Sequence, residues 1–97
     1  MPTAQYFRGG NRLKPRPNDV RIDPATGLLL PTHGVSVFDS PQGLEQFGGA
    51  FHLTAIPATL KIIQRGRNPH HFEIVPAHSM TMAAFEMALD KINLVPV

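Results

Sequence analysis

The spacing of apolar and polar residues changes along the chain, and each change predicts a different element. Residues 35–38, Val-Ser-Val-Phe, alternate apolar and small polar side chains, which is typical of a strand with two unlike faces. Residues 6–8, Tyr-Phe-Arg, precede two glycines and predict the end of a first strand. The sequence therefore predicts two short strands joined by a long connection.

The second half of the chain predicts a β-hairpin. Its two strands are residues 60–63 and residues 71–75, and the segment between them contains glycine and proline. Side chains alternate across a strand, so Phe72 and Ile74 are expected on one face and Glu73 on the other. The apolar residues of the first hairpin strand should pair with Phe72 and Ile74.

A helix and an edge strand are predicted to follow the hairpin. Ser79 or Thr81 is a suitable N-cap for a helix that runs to about Lys91. Apolar residues recur at spacings of three and four and predict a buried face: Met82, Phe85, Leu89 and Ile92. Residues 94–97 predict a final edge strand, because Pro96 cannot donate to a central ladder.

A proline-rich connection runs from about residue 14 to residue 33. Pro15, Pro17 and Pro31 prevent a regular helix in it. Residues 23–27, Asp-Pro-Ala-Thr-Gly, predict a turn. Loops of this length in a compact domain are usually functional or mobile, and we expect a structured loop with one short extended piece.

A short helical turn is predicted after the second strand. Ser40 would be its N-cap, with Pro41 at the first helical position. Leu44 and Phe47 are expected to face inward from this turn. Two glycines, at positions 48 and 49, should end it.

Length and composition narrow the class of protein. A chain of 97 residues favours one domain, residues 1–97, with a mixed α+β fold. Charged residues are only 16% and apolar residues 42%, which excludes a charge-rich disordered segment. The absence of cysteine excludes a disulfide scaffold and a cysteine zinc site. No secretory signal and no membrane-spanning apolar run are seen, so we expect a cytoplasmic protein without membrane contact.

Positive charge is concentrated in two segments, residues 8–21 and 61–67. Their basic side chains are Arg8, Arg12, Lys14, Arg16, Arg21, Lys61, Arg65 and Arg67. Such patches attract phosphates or an acidic protein, and the alternative is a solvated surface. Few aromatic residues lie beside these arginines along the chain, so direct nucleic-acid binding is not expected.

The five histidines are candidates for metal binding or proton transfer. His70 and His71 are adjacent, so on a strand they would face opposite sides and could not easily share one ion; no metal site is expected. His33 or His71 could act as a general base or substrate-binding donor, with a packing role as the alternative. The sequence contains no phosphate-binding glycine loop and no Gly-x-Ser-x-Gly nucleophile motif.

The candidate functional centre is residues 34–39, Gly-Val-Ser-Val-Phe-Asp, together with Arg8 and Glu73. The two glycines after Arg8 permit close approach of a ligand to the backbone. Each side chain also has a structural interpretation. Ser36 could be a small residue in a crowded sheet, Glu73 an exposed strand carboxylate, and Asp39 a turn residue.

The order of these segments resembles a known family. The chain resembles the ADP-ribosyltransferase-like toxins typified by a cytoplasm-acting effector of the bacterial type VI secretion system. The resemblance covers most of the chain from Asp23 onward, together with the first strand. It is carried by residues 6–8, 27–28, 31, 34–39, 56–62, 71–77, 80 and 85–90.

The resemblance implies a fold, an activity and a partner. The fold would be a split mixed β-sheet with few helices, and the activity would be toxicity in the bacterial cytoplasm, restrained by a cognate antitoxin or immunity protein. NAD would be the ligand and substrate. Arg8 would hold its phosphate or ribose and Ser36 would organise the cleft. Glu73 is the third candidate catalytic residue on its chemistry alone, because the family has no obvious glutamate that matches it. The residues implied in NAD binding are Arg8, Gly9, His33, Gly34, Val35, Ser36 and Phe38.

Two other functions stay open on the residues alone. A ribonuclease toxin of a toxin–antitoxin pair could use Arg65, Arg67, His70 and His71 for RNA binding and acid–base chemistry. A non-catalytic module could dock a partner protein through its hairpin edge or its basic surface. For NAD cleavage, a carboxylate near the ribose would stabilise the oxocarbenium-like transition state, as in glycoside cleavage.

Overall fold

The chain forms one antiparallel sheet and one α-helix in this computed structural model, which describes residues 5–97. The strands are β1 Phe7–Gly9, β2 Val35–Phe38, β3 Ala50–Thr54, β4 Leu60–Gln64, β5 His71–Pro76 and β6 Asn93–Pro96. The helix is α1, Met82–Asp90, and short 3-10 turns lie at Pro17–Asp19 and Glu45–Phe47. The predicted α+β class is confirmed, but the expected mixed sheet is wrong, because all neighbouring strands of the one six-stranded sheet are antiparallel.

The sheet is weakly paired at its middle. Its strand order is β4-β5-β2-β1-β3-β6, and every neighbouring pair is antiparallel. β2 and β5 share four paired positions, whereas β1 and β2 share only Phe7 opposite Phe38. The pairing between β1 and β2 therefore stops at the residue before Arg8.

The predicted hairpin is confirmed as β4 and β5. Leu60 pairs with Pro76, and Ile62 pairs with Ile74. Ile74 is fully buried and Phe72 packs against the same core, while Glu73 points to the opposite face. The alternation read from the sequence thus sets which side of the sheet each residue occupies.

Helix α1 covers one face of the sheet. Thr81 is its N-cap, and its hydroxyl oxygen accepts a hydrogen bond of 3.1 Å from the Ala84 amide. Three residues of the predicted apolar face are buried, namely Phe85, Leu89 and Ile92, and Met82 is partly buried. They share one core with Val35, Val37, Leu53 and Ile74 of the strands. No helix among residues 5–97 has the length and apolar character needed to cross a membrane.

The predicted edge strand is confirmed as β6, the outermost strand beside β3. Pro96 pairs with Phe51 at this edge, where its missing N–H leaves no central ladder position empty. Strand β3 has no counterpart among the predicted elements. Its residues include His52 and Thr54, and it follows two glycines, so its apolar pattern is weak.

The proline-rich connection is tied to the core. The predicted turn forms at residues 23–27, where the Asp23 carbonyl accepts a 2.7 Å hydrogen bond from the Gly27 amide and Gly27 has a φ of +73°. Leu29 forms isolated bridges to Ile22 and Met80 and is 1% exposed. The loop is therefore held by an apolar anchor as well as by its turn.

The helical turn after β2 differs from its prediction. Ser40 does not begin a helix, although its hydroxyl accepts a hydrogen bond from the Gln42 amide. The helical turn is limited to Glu45–Phe47, because Gln42 and Gly43 form a separate turn in which Gly43 has a φ of +82°, and helical geometry begins only at Leu44. Leu44 is buried as expected, but the inward position of Phe47 is wrong: its side chain is 55% exposed, and its ring lies over Gly9 at the surface.

Candidate functional site

Arg8 bridges the place where pairing between β1 and β2 stops. Its Nη1 donates a 2.6 Å hydrogen bond to the Ser36 carbonyl, and its Nε donates a 3.0 Å bond to the Arg12 carbonyl. Two of its five N–H donors therefore fix the guanidinium to the backbone of two different segments. This contact joins residues 28 positions apart in the sequence.

The Arg8 guanidinium is a partly desolvated cation. Burial lowers its pKa from the ordinary value, Asp19 opposes this shift, and nearby Arg16 adds to it. An arginine keeps its proton at neutral pH even so, because its ordinary pKa lies far above neutral. The result is a fixed positive charge in a partly desolvated site, which favours binding of an anionic ligand.

A cavity of about 290 Å³ opens beside this guanidinium. We call it the Arg8 cavity; its lining is Arg8, Gly9, Arg16, Asp19, Ser36, Phe38 and Phe47. Gly9 is required for its shape, because a Cβ there would lie 2.7 Å from the Phe47 ring. The cavity thus combines two cations, one carboxylate and two aromatic walls.

Ser36 is bonded through its side chain to His71. The His71 Nε2 lies 3.0 Å from the Ser36 Oγ, and its Nδ1 lies 2.8 Å from the Arg65 carbonyl oxygen. A carbonyl can only accept, so Nδ1 carries the proton, and in the neutral ring Nε2 accepts the Ser36 hydroxyl proton. The Phe38 ring meets His71 edge-on at 5.8 Å. His71 therefore fixes the direction of the Ser36 hydroxyl.

Glu73 lies directly opposite Ser36 in the β2/β5 register, but its carboxylate is hydrogen-bonded to the backbone. Its Oε1 accepts a 3.0 Å hydrogen bond from the Gly34 amide and lies 3.6 Å from Arg65 Nη1. The residue is only 8% exposed and does not line the Arg8 cavity. Its contacts hold the start of β2 against β5.

Gly34 itself is a point of close backbone approach. A Cβ at this position would overlap the carbonyl oxygen of Ile74 on β5. Only glycine lets the two strands approach this closely while the Gly34 amide reaches Glu73. The first residue of the predicted functional centre is thus explained by packing.

His33 and Val35 do not line the Arg8 cavity. His33 Nδ1 lies 2.8 Å from the Thr32 hydroxyl, and burial, followed by the charges of Arg65 and Arg21, lowers the His33 pKa against an opposing effect of Glu73. Val35 is 1% exposed and packs in the core beneath α1.

Of the predicted site residues, the structure brings four to one cavity: Arg8, Gly9, Ser36 and Phe38. It places four others elsewhere: His33, Gly34, Val35 and Glu73. Three lining residues are absent from the predicted set, namely Arg16, Asp19 and Phe47. Asp19 stands out in the sequence as the one acid of a basic segment, whereas Phe47 carries no such signal because its place depends on its contact with Gly9.

A second polar pair lies at the other side of Phe38. His70 Nδ1 lies 3.1 Å from Asp39 Oδ1 in an exposed position. Both side chains line a cavity of about 430 Å³, which also touches Phe38, Phe47 and Asn68. Asp39 is therefore more than a turn residue, because it orients a histidine beside a cavity.

No match was found among protein-family models, curated proteins or solved structures. Within residues 5–97, no cluster of three or more histidine, aspartate or glutamate side chains is placed to hold a metal ion. Any functional assignment therefore depends on the cavity chemistry and on the resemblance described above.

Proposed function

We propose that this chain is an ADP-ribosyltransferase-like bacterial toxin that binds NAD in the Arg8 cavity and is neutralised by a cognate antitoxin or immunity protein. The observation that carries the proposal is the hydrogen bond from the Arg8 guanidinium to the backbone carbonyl of Ser36, which places together the two residues that the resemblance assigns to the first and second strands of such a cleft. β1 and β2 are paired at only one position beside this bond, so the sheet has its weakest pairing where the proposed cleft lies.

Arg8 has the features of a phosphate-binding residue. Its backbone contacts orient the guanidinium, and its remaining N–H donors are available to an anion beside the Arg8 cavity. Guanidinium groups bind phosphates in forked geometry more strongly than neutral donors do. In this proposal Arg8 holds the pyrophosphate of NAD, and Arg16 adds a second positive charge at the same cavity.

Asp19 is the carboxylate that lies in the cavity. Breaking the nicotinamide–ribose bond releases nicotinamide with the bonding electron pair and leaves positive charge on the ribose. A fixed carboxylate beside that ribose would stabilise the charge. We assign this role to Asp19 because it lines the cavity and Glu73 does not. Asp19 Oδ2 accepts a 2.8 Å hydrogen bond from the Arg16 amide, which fixes the position of the carboxylate.

Ser36 and His71 can position the ribose. With its proton directed to His71 Nε2, the Ser36 oxygen presents its free lone pairs and accepts a hydrogen bond from a ribose hydroxyl. His71 is held by the Arg65 carbonyl and acts through Ser36, so it is a positioning residue. An antitoxin that covered this cavity would block NAD entry.

The proposal is tested by inducing the wild-type chain, Arg8→Ala and Arg67→Ala in bacteria. Arg67 is the matched control, because it is exposed and lies in the β4–β5 loop, outside the lining of the Arg8 cavity. We expect the wild type and Arg67→Ala to stop growth and to consume NAD or modify a cellular target, and Arg8→Ala to do neither. Unchanged growth, NAD and target modification on induction of the wild type would refute the proposal.

A ribonuclease is the second candidate, and the His70–Asp39 pair favours it. An aspartate that holds Nδ1 of a histidine leaves Nε2 for proton transfer, and the pair faces a cavity that a nucleotide could enter. Incubation of purified protein with ribosomes and message separates the two functions. RNA cleavage that is lost in His70→Ala and leaves NAD untouched would favour the ribonuclease.

A further inference from the structure

A row of cations extends the Arg8 cavity along the segment that follows β1. Arg12, Lys14 and Arg16 are exposed, while Leu13 between them is 7% exposed and belongs to the core. The segment has no helical structure before Pro17, and alternate residues of an extended chain point to the same side. Anchoring Leu13 inward therefore turns the three basic side chains outward together.

These side chains line an open trough of about 630 Å³ that shares Arg8, Arg16 and Phe47 with the Arg8 cavity. The trough lining contains four basic residues and no acidic residue. Among residues 5–97, Arg12, Lys14 and Arg16 form no salt bridge. Their charge is thus directed at solvent, where it attracts a polyanion.

Phe47 supplies the aromatic group that the linear sequence lacks near these arginines. It lies more than thirty positions after Arg12 in the chain, yet its ring packs over Gly9 at the trough and is 55% exposed. An exposed aromatic ring beside a basic groove is the arrangement on which single-stranded nucleic acids bind, with phosphates on the cations and a base stacked on the ring. A purely acidic protein surface would make no use of the ring.

We propose that the trough formed by Arg12, Lys14, Arg16 and Phe47 binds single-stranded nucleic acid. The occupant passes the mouth of the Arg8 cavity, because the two spaces share Arg8 and Phe47. This placement makes a nucleic acid the class of macromolecule presented for modification, a step that rests on the proposed function. Binding itself does not depend on NAD.

The test is fluorescence anisotropy of the purified full chain with labelled 12-nucleotide RNA and DNA strands, without NAD, across a range of salt concentrations. Three phosphate contacts predict that log Kd changes with log salt by a slope of about 2, since each contributes roughly 0.7 on a single strand. The RNA and DNA arms show which strand is preferred. A Kd that does not change with salt concentration, or the absence of binding at low salt, would overturn the proposal.

Variants separate the trough from general electrostatic attraction. Arg12→Ala/Lys14→Ala should lower the salt slope by about 1.4 and weaken binding. The control, Lys61→Ala/Lys91→Ala, removes the same charge from exposed positions outside the trough and should retain the wild-type slope. Equal losses in both double variants would contradict a defined trough.

Variants of Phe47 distinguish base stacking from attraction by charge alone. Phe47→Ala should weaken strand binding by roughly 5- to 100-fold through loss of base stacking, whereas Phe47→Tyr should bind as the wild type does. Circular dichroism checks that both variants are folded. Wild-type binding by Phe47→Ala, or tighter binding of a polyglutamate peptide than of either strand, would overturn the proposal in favour of an acidic protein partner.

The link to transfer chemistry has its own experiment. In the transfer step a nucleophilic nitrogen or oxygen of the strand forms a bond to the ribose C1′ of NAD while the nicotinamide–ribose bond breaks, nicotinamide leaves with the electron pair, and the proton of the nucleophile passes to water. With NAD labelled in its ADP-ribose part, label should pass to the bound strand in the wild type and not in Arg8→Ala. Strand binding without any NAD turnover would leave the trough established and refute the proposed function. NAD turnover without strand binding would refute the trough and leave the proposed function intact.

Discussion

The two sides of strand β2 differ in what holds them. Val35 and Val37 are 1% and 0% exposed and pack beneath α1, in a core made of apolar contacts. Ser36 and Phe38, which alternate with them, are half-buried and line a cavity. One strand of four residues therefore carries the stability of the fold on one side and its candidate chemistry on the other.

The difference lies in the kind of interaction. The helix side is held by burial, which is non-directional and tolerates conservative changes. The cavity side is held by hydrogen bonds of Arg8, His71 and Glu73 to particular backbone and side-chain atoms. Substitutions on the first side should act on stability, and substitutions on the second should act on ligand binding unless they disturb the backbone.

The largest loss of stability is expected from Phe85→Ala, beneath the helix. Phe85 is fully buried, so its removal should cost about 3–5 kcal/mol, a large part of the usual stability of a small domain. Met87→Ala is the control on the same helix, since Met87 is 65% exposed and its change should stay within about 0.5 kcal/mol. Urea unfolding measures both. Similar losses would show that α1 does not cover the sheet as described.

Gly34→Ala should have the next largest effect and lower the free energy of unfolding by about 3 kcal/mol. Its methyl group would overlap the Ile74 carbonyl and push β2 away from β5. Gly27→Ala is the control: its Cβ would meet nothing, and only its positive φ should cost about 1 kcal/mol. The comparison is made by thermal unfolding. A smaller loss at Gly34 than at Gly27 would contradict the close approach of the strands.

Glu73 tests whether a polar residue on the cavity side can be structural. Glu73→Ala should cost about 1–3 kcal/mol by leaving the buried Gly34 amide without an acceptor. Glu73→Gln keeps an acceptor oxygen for the Gly34 amide, so it should be more stable than Glu73→Ala and should retain toxicity. A folded but inactive Glu73→Gln variant would instead assign Glu73 to catalysis.

The smallest effect is expected from the titration of His33. Burial and the charges of Arg65 and Arg21 lower its pKa in the folded state, so below the ordinary value of about 6.5 the unfolded chain binds more protons. Stability should therefore fall slightly as the pH drops from 6.5 towards the folded-state pKa. His33→Asn should flatten this dependence in urea titrations carried out at several pH values. An increase in stability on acidification would contradict a lowered pKa of His33 in the folded state.

Elements set by local pattern were predictable from the sequence. β2, the β4–β5 hairpin, the Thr81 cap and the buried stripe of α1 each follow from alternation, helical spacing or a capping residue. Strand β3 was not predicted, because its apolar pattern is weak and its pairing with β1 and β6 is long-range. Phe47 was misplaced since its environment depends on Gly9, 38 positions earlier.

The candidate site was predictable only in part. Arg8 and Ser36 were predicted, and the structure joins them through a backbone carbonyl that no sequence pattern reveals. Asp19 lies in the cavity because the proline-rich connection folds back beside β1, a tertiary event. Glu73 is a carboxylate on the same face of the sheet as Ser36, as a catalytic residue would need to be. Its Oε1, however, is bound by the Gly34 amide and lies near Arg65.

The most direct test of the account is a titration of isotope-labelled protein with NAD, followed by amide chemical shifts. Shifts should move at Arg8, Gly9, Asp19 and Ser36, while amides of α1 should stay in place, because the cavity lies on the side of β2 away from the helix. Arg8→Ala should remove the changes. Shifts centred on α1, or none at millimolar NAD, would contradict the assignment of NAD binding to the Arg8 cavity.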